Sequence, residues 1–311
     1  MASSGSYDYS IDRDGLINLA HQHIGAIGEG ETCSANQITE AAKLLNMLCK
    51  LRAADGMPLW SLKRGAILPF SDASSIATNS HVVTSYNYTT TSAAAASGAS
   101  TIVITSTTGF ANGYTIGIEL TSGTMQWTTI NGALSGSTVT LTATLTEAVV
   151  SGAAVYVYQT TNRIQRPLRI LQGNILNSAG SNSYSIEQVA RENYFSLGNR
   201  TVEGTPNQFY YDPALDNGNI YVYPRFSDGD DVIEFTYHRP FQDFDASTDT
   251  PDFPQEFYLP LMIGLAALLG PKFGVSIEER SALTKEAEYY LIQALETVVP
   301  EGSMLIQAET R

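Results

Sequence analysis

Carboxylates are the residues in this sequence whose type and spacing come closest to a chemical site. They form two groups: Asp228, Asp230 and Asp231, followed by Asp243, Asp245, Asp249, Asp252 and Glu256. Paired carboxylates bind calcium or act as general acid and base on glycosides. The second group does not have the spacing of an EF-hand loop and has no glycine at the required turn. We therefore interpret it as a solvated acidic face, with Asp252 and Glu256 near a helix N-terminus. Ion binding and catalysis remain the alternatives.

The histidines and cysteines do not have the spacing of a metal site. His21 and His23 are two residues apart on a predicted helix, so their side chains point in nearly opposite directions. Cys33 and Cys49 are interpreted as small core residues in a reducing compartment. The chain contains neither a G-x-x-x-x-G-K-[ST] phosphate loop nor a G-x-S-x-G nucleophile elbow. The sequence thus predicts no metal, no cofactor and no enzymatic activity.

Charge and hydropathy exclude two further classes of partner. The 311 residues include 17 Lys and Arg against 31 Asp and Glu, a formal net charge of −14. An acidic chain of this kind lacks the basic footprint that binding to a nucleic-acid backbone requires. The N-terminus has no basic region followed by an apolar run, so we predict no secretory signal. The longest apolar stretch, at 259–269, is shorter than the roughly 20 residues of a membrane span.

Helical periodicity occurs at both ends of the chain. Apolar residues recur at helical spacing over 16–27 and 38–51 near the N-terminus, and over 256–269 and 283–298 near the C-terminus. Asp12 or Asp14 is the predicted cap of the first helix, and Ser276 with Glu279 forms a capping box before the last. Antiparallel packing of all four helices into one bundle is the simplest way to bury these faces.

The middle of the chain has the pattern of β-strands and an unusual charge distribution. Between Val82 and Asn162 the only charged residues are Glu119 and Glu147, and five short alternating runs are separated by glycine turns. This composition predicts an inserted all-β sandwich or barrel, with 92–100 as a linker. Runs at 208–212, 219–224 and 231–239 predict a small antiparallel sheet. The predicted class is α+β, with an N-terminal helical part at 1–88, the insertion at 89–162, a C-terminal core part at 163–299 and a tail at 300–311.

Three stretches of the chain carry motifs in a characteristic order. The first comprises residues 16–20 (LINLA), 24–31 (IGAIGEGE), 41–46 (AAKLLN) and 55–60 (DGMPLW). The second comprises 204–206 (GTP), 209–213 (FYYDP) and 220–224 (IYVYP), and the third 239–245 (RPFQDFD) and 251–257 (PDFPQEF). In this order they resemble the head-to-tail adaptors of short-tailed bacteriophages, the tail tubular protein A or packaged-DNA stabilisation family. The insertion, with 113–120 (GYTIGIEL) and 125–127 (MQW), resembles one carried by some of these adaptors. Shorter members lack it, so its role does not carry over from them.

The resemblance implies a structural protein of the virion, made in the host bacterial cytoplasm. Such adaptors form a ring, usually of 12 copies, beneath the portal protein ring. Their helical bundle meets the portal, the ring supports the tail nozzle, and genomic DNA passes through the channel without specific binding. Contacts of the insertion with tail fibres, nozzle or capsid are a further expectation. Twelve copies would carry 12 × −14 = −168 formal charges, so we expect an acidic channel wall that repels DNA phosphates.

The C-terminal tail contains the predicted portal-docking residues. Met304, Leu305 and Ile306 form an apolar triplet after the helix stop at Pro300 and Gly302. In related adaptors the C-terminal extension reaches between portal subunits, so we expect the triplet to bury against the portal or a neighbouring copy. The alternative is that it folds back on its own bundle.

Two other functions remain open at this stage. One is a receptor- or glycan-binding tail module, which exposed aromatic residues in a groove of 89–160 would favour. The other is a cell-wall glycosidase that uses two of the clustered acids, which requires a carboxyl pair in a cleft with one raised pKa.

Overall fold

The computed structural model describes residue 5 and residues 9–55, 61–70, 75–177 and 183–296. The chain divides into two compact units. We call Met1–Ser61 with Pro240–Arg311 the helical unit, and Leu62–Arg239 the β unit. The α+β class predicted from the sequence is confirmed, since the structure combines helices with extended sheets.

The described residues form five α-helices. Four belong to the helical unit, and the short α3 belongs to the β unit. They are α1 (Arg13–His23), α2 (Ala35–Asp55), α3 (Arg191–Phe195), α4 (Tyr258–Leu269) and α5 (Ile277–Glu296). The Asp12 side chain accepts a hydrogen bond of 2.8 Å from the Gly15 amide. Ser276 and Glu279 form a reciprocal capping box at the start of α5. Both N-caps are therefore placed as the sequence predicts.

The helical unit is organised around α4. This helix contacts α1, α2 and α5, and most of its residues are buried. The core beneath it contains Leu16, Ile17, Leu45 and Leu265. Helices α1 and α2 also pack on each other, whereas the main helical neighbour of α5 is α4. The arrangement is thus a layer around one apolar helix, and these contacts do not establish the regular four-helix bundle that we predicted.

Helix α4 also explains the longest apolar stretch. Together with its flanking 3-10 turns it forms a helical segment, Gln255–Phe273, which has the length and hydropathy of a membrane span. The apolar stretch predicted from the sequence, 259–269, is shorter because it does not include the 3-10 turns that flank α4. About half of the segment is buried inside the unit, as in the core helix of a folded domain.

The β unit contains a nearly closed, barrel-like sheet of eight strands. The strands are β1 (Leu62–Ile67), β2 (Ser75–Ala77), β3 (Val82–Val83), β10 (Arg169–Asn177), β11 (Ser183–Gln188), β12 (Gln208–Asp212), β13 (Asn219–Tyr223) and β14 (Asp231–His238). Their order in the sheet is β2-β13-β12-β11-β10-β14-β1-β3. Only β12, β13 and β14 were predicted, so the predicted small sheet is corrected. The other five strands are short or have no regular alternation of apolar and polar residues, so local sequence patterns do not reveal them. The pair β11–β12 is parallel, whereas the prediction was wholly antiparallel.

The insertion contains the other six strands. They are β4 (Asn87–Thr90), β5 (Thr101–Val103), β6 (Thr115–Glu119), β7 (Met125–Thr129), β8 (Thr138–Thr140) and β9 (Ala154–Tyr158). A four-stranded sheet, β4-β9-β6-β7, and the pair β5–β8 enclose one apolar core. Its members include Ile102, Ile118, Val139 and Val155. We call residues 87–158 the β module.

Strands β1 and β14 contribute to apolar clusters on both faces of the sheet. Ile67, Ile233 and Phe235 point into the core of the barrel-like sheet. Their neighbours Ala66 and Val232 point the other way, into a second apolar cluster that they share with Tyr156 and Tyr158 of the β module. The module is therefore packed directly against the outer face of the sheet.

Three polar side chains reinforce this junction. The indole of Trp127 donates a hydrogen bond of 3.1 Å to the Pro69 carbonyl, and the Tyr156 hydroxyl donates one of 2.6 Å to the Gly229 carbonyl. The Glu119 carboxylate accepts from the amides of Ala154 and Gly229. The compact units divide at 61/62 and 239/240. The domain boundaries predicted from the sequence, 88/89 and 162/163, stay a prediction. The predicted N-terminal part, 1–88, includes the strands β1, β2 and β3 of the sheet.

Gly117 provides the space that Trp127 occupies. The two residues are cross-strand partners in β6 and β7, and a Cβ on Gly117 would lie 2.6 Å from the indole ring. We expect Gly117→Ala to displace the indole and to lower the free energy of unfolding by about 1–3 kcal/mol, the usual cost of overpacking. Urea denaturation followed by circular dichroism measures the loss. Gly198→Ala is the control, because no atom lies within 4 Å of its added Cβ. Equal stability of the two variants would contradict the assigned packing.

Candidate functional site

The acidic loop that the sequence singled out is held by structural contacts. Asp243 forms an ion pair with Lys50 at 2.7 Å. Asp249 accepts hydrogen bonds from the amides of Asp245 and Ala246, and these bonds lower the pKa of its carboxyl. Asp252 accepts a hydrogen bond from the Gln242 amide. Three of the acids are therefore engaged in holding the loop that leads to α4.

The other acidic group is at the start of β14. Asp228 accepts hydrogen bonds from the Ser227 hydroxyl and the Asp230 amide. Burial raises the pKa of Asp231, and the neighbouring carboxylates Asp228 and Asp230 add to the rise. Within the described ranges, no three His, Cys, Asp or Glu side chains are grouped so that they could hold a metal ion.

Of the histidines and cysteines near the N-terminus, all except His23 have core positions. His21 is buried, and its Nδ1 donates to the Ile17 carbonyl at 2.9 Å, while its ring meets the edge of Phe273. His23 is exposed. Cys33 and Cys49 are free thiols, and burial raises the pKa of Cys49 to about 12. A thiol with such a pKa stays protonated and unreactive at neutral pH.

The structure brings together a polar and aromatic group that sequence reasoning missed. His81 stacks on Trp127 with ring centroids 4.0 Å apart, and its Nδ1 lies 3.0 Å from the Tyr158 hydroxyl. The Arg163 guanidinium lies 5.7 Å from the centre of the Tyr158 ring. The group lies at the junction, where Trp127 and Tyr158 of the β module contact His81 next to strand β3 of the sheet. The sequence contained one sign of this group: His81 and Arg163 lie immediately before and after the segment 82–162, which has no Lys or Arg.

The candidate functional surface consists of exposed apolar side chains on the helical unit. On α2, Met47 and Leu51 are 67% and 57% exposed, and on α5, Tyr289 and Ile292 are 58% and 56% exposed. Each pair is three or four residues apart, so its members are neighbours on one helix face. Isolated exposed apolar residues are common, but adjacent ones on helices are typical of surfaces that a partner covers.

A small apolar groove adds to this surface. Tyr9, Leu19, Leu259 and Met262 line a cavity of about 150 Å³ beside α1 and α4. Tyr9, Leu19 and Leu259 are all exposed. The predicted docking residues Met304, Leu305 and Ile306 lie outside the described residues, so their placement stays a prediction.

No protein-family model matches this chain, and no curated protein matches it. The function is therefore argued from the residues and from the geometry above.

His81 makes the stability of the β unit depend on pH. Burial, together with the positive charge of Arg163, lowers the pKa of His81 from 6.5 to about 4. Between these values the unfolded chain binds a proton that the folded chain does not, so stability falls as the pH falls from 6.5 to 4. We expect a loss of about 3 kcal/mol from this group. Urea denaturation across this pH range measures it.

The control for this prediction is His81→Gln, which removes the titrating group. The variant should be less stable at pH 7 and should show a shallower pH dependence than the wild type. The pKa of His238 is lowered as well, by burial and by Arg169, so a residual slope is expected. Identical slopes in the two proteins would show that His81 does not titrate as its surroundings require.

Proposed function

We propose that this protein is a structural head-to-tail adaptor of a short-tailed bacteriophage. In this role it forms a ring beneath the portal, joins the capsid vertex to the tail nozzle and lets genomic DNA pass. Support comes from the three stretches that resemble the adaptor family. They build α1 and α2, the strands β12 and β13, and the connection from β14 to α4, so they belong to the framework of both units.

The observation that carries the proposal is the exposed apolar surface on α2 and α5. Met47, Leu51, Tyr289 and Ile292 leave large apolar areas open to water in a chain of which only 43% is hydrophobic. Burying such side chains in a ring or against the portal stabilises each by about 1.5–3 kcal/mol. In the proposed assembly the four helices of the helical unit form the bundle that meets the portal and the neighbouring copies.

The proposal assigns the acidic character of the chain to the channel. An acidic channel wall repels DNA phosphates and limits adhesion while the genome moves. The proposed assembly has about 12 copies, as in the adaptors that the chain resembles. In it the β module faces outward or towards the tail, where it contacts nozzle or fibre proteins. We assign no catalytic step, because the acidic loop is engaged in structural hydrogen bonds and an ion pair.

Light scattering tests the proposal. The mass of the full chain is measured alone and after mixing with the portal ring of the phage that encodes it. A stoichiometric ring on the portal supports the adaptor role, and a monomer alone would show that the portal templates assembly. No binding to the portal in any state would overturn the role.

Charged substitutions on the exposed helix faces should block assembly. Met47→Lys and Tyr289→Lys place an ammonium group in the proposed interface, where its desolvation is costly. We expect at least a tenfold loss of portal binding, which corresponds to about 1.4 kcal/mol. Leu215→Lys is the matched control, because Leu215 is 86% exposed and lies in the β unit. Equal loss in all three variants would show a general effect of charge rather than an interface on α2 and α5.

Removal of residues 303–311 tests the predicted docking tail. If Met304, Leu305 and Ile306 bury against the portal, the truncated protein should lose portal binding and keep the thermal unfolding profile of the full chain. Unchanged docking would contradict the assignment. A lower melting temperature of the isolated protein would instead favour folding of the triplet onto its own unit.

A further inference from the structure

A polar cleft opens in the β unit where the chain passes from the sheet to the β module. Its volume is about 450 Å³, within the range of roughly 300–1,000 Å³ that is typical of small-ligand sites. Residues 84–88 form one wall, and strands β1 and β14 form the other. The cleft lies on the same outer face of the sheet on which the module packs, beside the apolar cluster of the junction.

Two opposite charges without partners line this cleft. Arg64 and Glu234 lie on adjacent antiparallel strands, and because Ala66 is the direct partner of Glu234, they occupy diagonal positions. In the described part of the chain, neither side chain forms an ion pair or a hydrogen bond. Glu234 is half-buried, so its carboxylate loses part of its hydration without gaining a partner. Such a group favours a ligand that supplies hydrogen-bond donors.

Tyrosine rings form the aromatic part of the wall. Tyr86 and Tyr88 both lean on Tyr156, with ring centroids 5.9 and 5.2 Å apart. Tyr156 is fully buried and anchored by its hydrogen bond to Gly229, so the two half-buried rings of Tyr86 and Tyr88 rest on a fixed support. Burial, together with the charge of Glu234, raises the pKa of Tyr86 to about 12. Its hydroxyl therefore remains a hydrogen-bond donor at neutral pH.

We propose that this cleft binds a neutral sugar residue of a glycan. A sugar ring presents adjacent hydroxyls that donate and accept hydrogen bonds, and an apolar C–H face. The cleft offers an acceptor in Glu234, donors in Arg64, a hydroxyl in Tyr86, and tyrosine rings for the apolar face. The charges of Arg64 and Glu234 balance, and the net charge of −14 opposes anionic ligands.

This site differs from the glycan-binding groove considered from the sequence. That groove was expected within 89–160, whereas the cleft uses β1, β14 and residues 84–88, which lead into the module's first strand. Neither the sheet nor the module contains the whole set of residues. The inference is independent of the adaptor role and of ring formation.

The test uses the full chain and saturation-transfer NMR. The probes are methyl glucoside, methyl galactoside, methyl mannoside and N-acetylglucosamine, followed by an array of neutral oligosaccharides. We expect saturation transfer to at least one sugar. Arg64→Ala and Glu234→Gln should each raise the dissociation constant about tenfold or more, since each removes hydrogen bonds to a charged group. Tyr86→Phe removes one hydroxyl and should weaken binding less.

Matched controls separate the cleft from general charge effects. Lys63→Ala and Glu187→Gln change the net charge by the same amounts at exposed positions outside the cleft, and should leave the dissociation constant within about twofold. Thermal unfolding of every variant checks that it is folded. The proposal is overturned if no neutral sugar binds, if the Arg64 and Glu234 variants bind as the controls do, or if only anionic sugars or peptides bind.

Discussion

Strands β1 and β14 contribute side chains to apolar clusters on both faces of the sheet, and this two-sided packing is the constraint on which the β unit depends. Ile67 and Ile233 enter the core inside the barrel-like sheet, and their neighbours Ala66 and Val232 enter the cluster beneath the β module. Because side chains alternate with a period of two, a shift of one residue would exchange the two sets. The register of these strands therefore places both the sheet core and the module.

Hydrogen bonds of polar groups at the junction fix the orientation of the β module on the sheet. Apolar burial alone is non-directional, whereas the hydrogen bonds of Trp127, Tyr156 and Glu119 each require one orientation of the module on the sheet. Glu119 is one of two charged residues in a segment of some 80 residues, and it binds backbone amides on both sides of the junction. The same orientation holds Tyr86 and Tyr88 above Arg64 and Glu234, so the proposed sugar site is a consequence of how the module is fixed.

The helical unit shows the opposite distribution of apolar side chains. Helix α4 is buried by three neighbours, while α2 and α5 keep apolar residues on their outer faces. A helix that packs against its own unit on just one side keeps a second face that another molecule can cover. This asymmetry, together with the adaptor-like stretches, supports a role in assembly. The acidic loop fits the same interpretation, since its hydrogen bonds hold the connection into α4.

Elements with strong local signals were predictable from the sequence. The helices at both chain ends, the capping residues Asp12 and Ser276, and the strands β12, β13 and β14 were predicted, because periodicity and caps are properties of short segments. The charge-poor composition predicted an inserted all-β module, whose boundaries at 89–162 stay a prediction. The eight-stranded sheet depends on tertiary structure, since β3 has two residues and β11 is largely polar, and such strands form only when neighbouring strands supply their hydrogen bonds. The groups His81–Trp127 and Arg64–Glu234–Tyr86 also form only in the tertiary structure. Their members are up to 170 residues apart in the chain, and the pairing of distant strands brings them together.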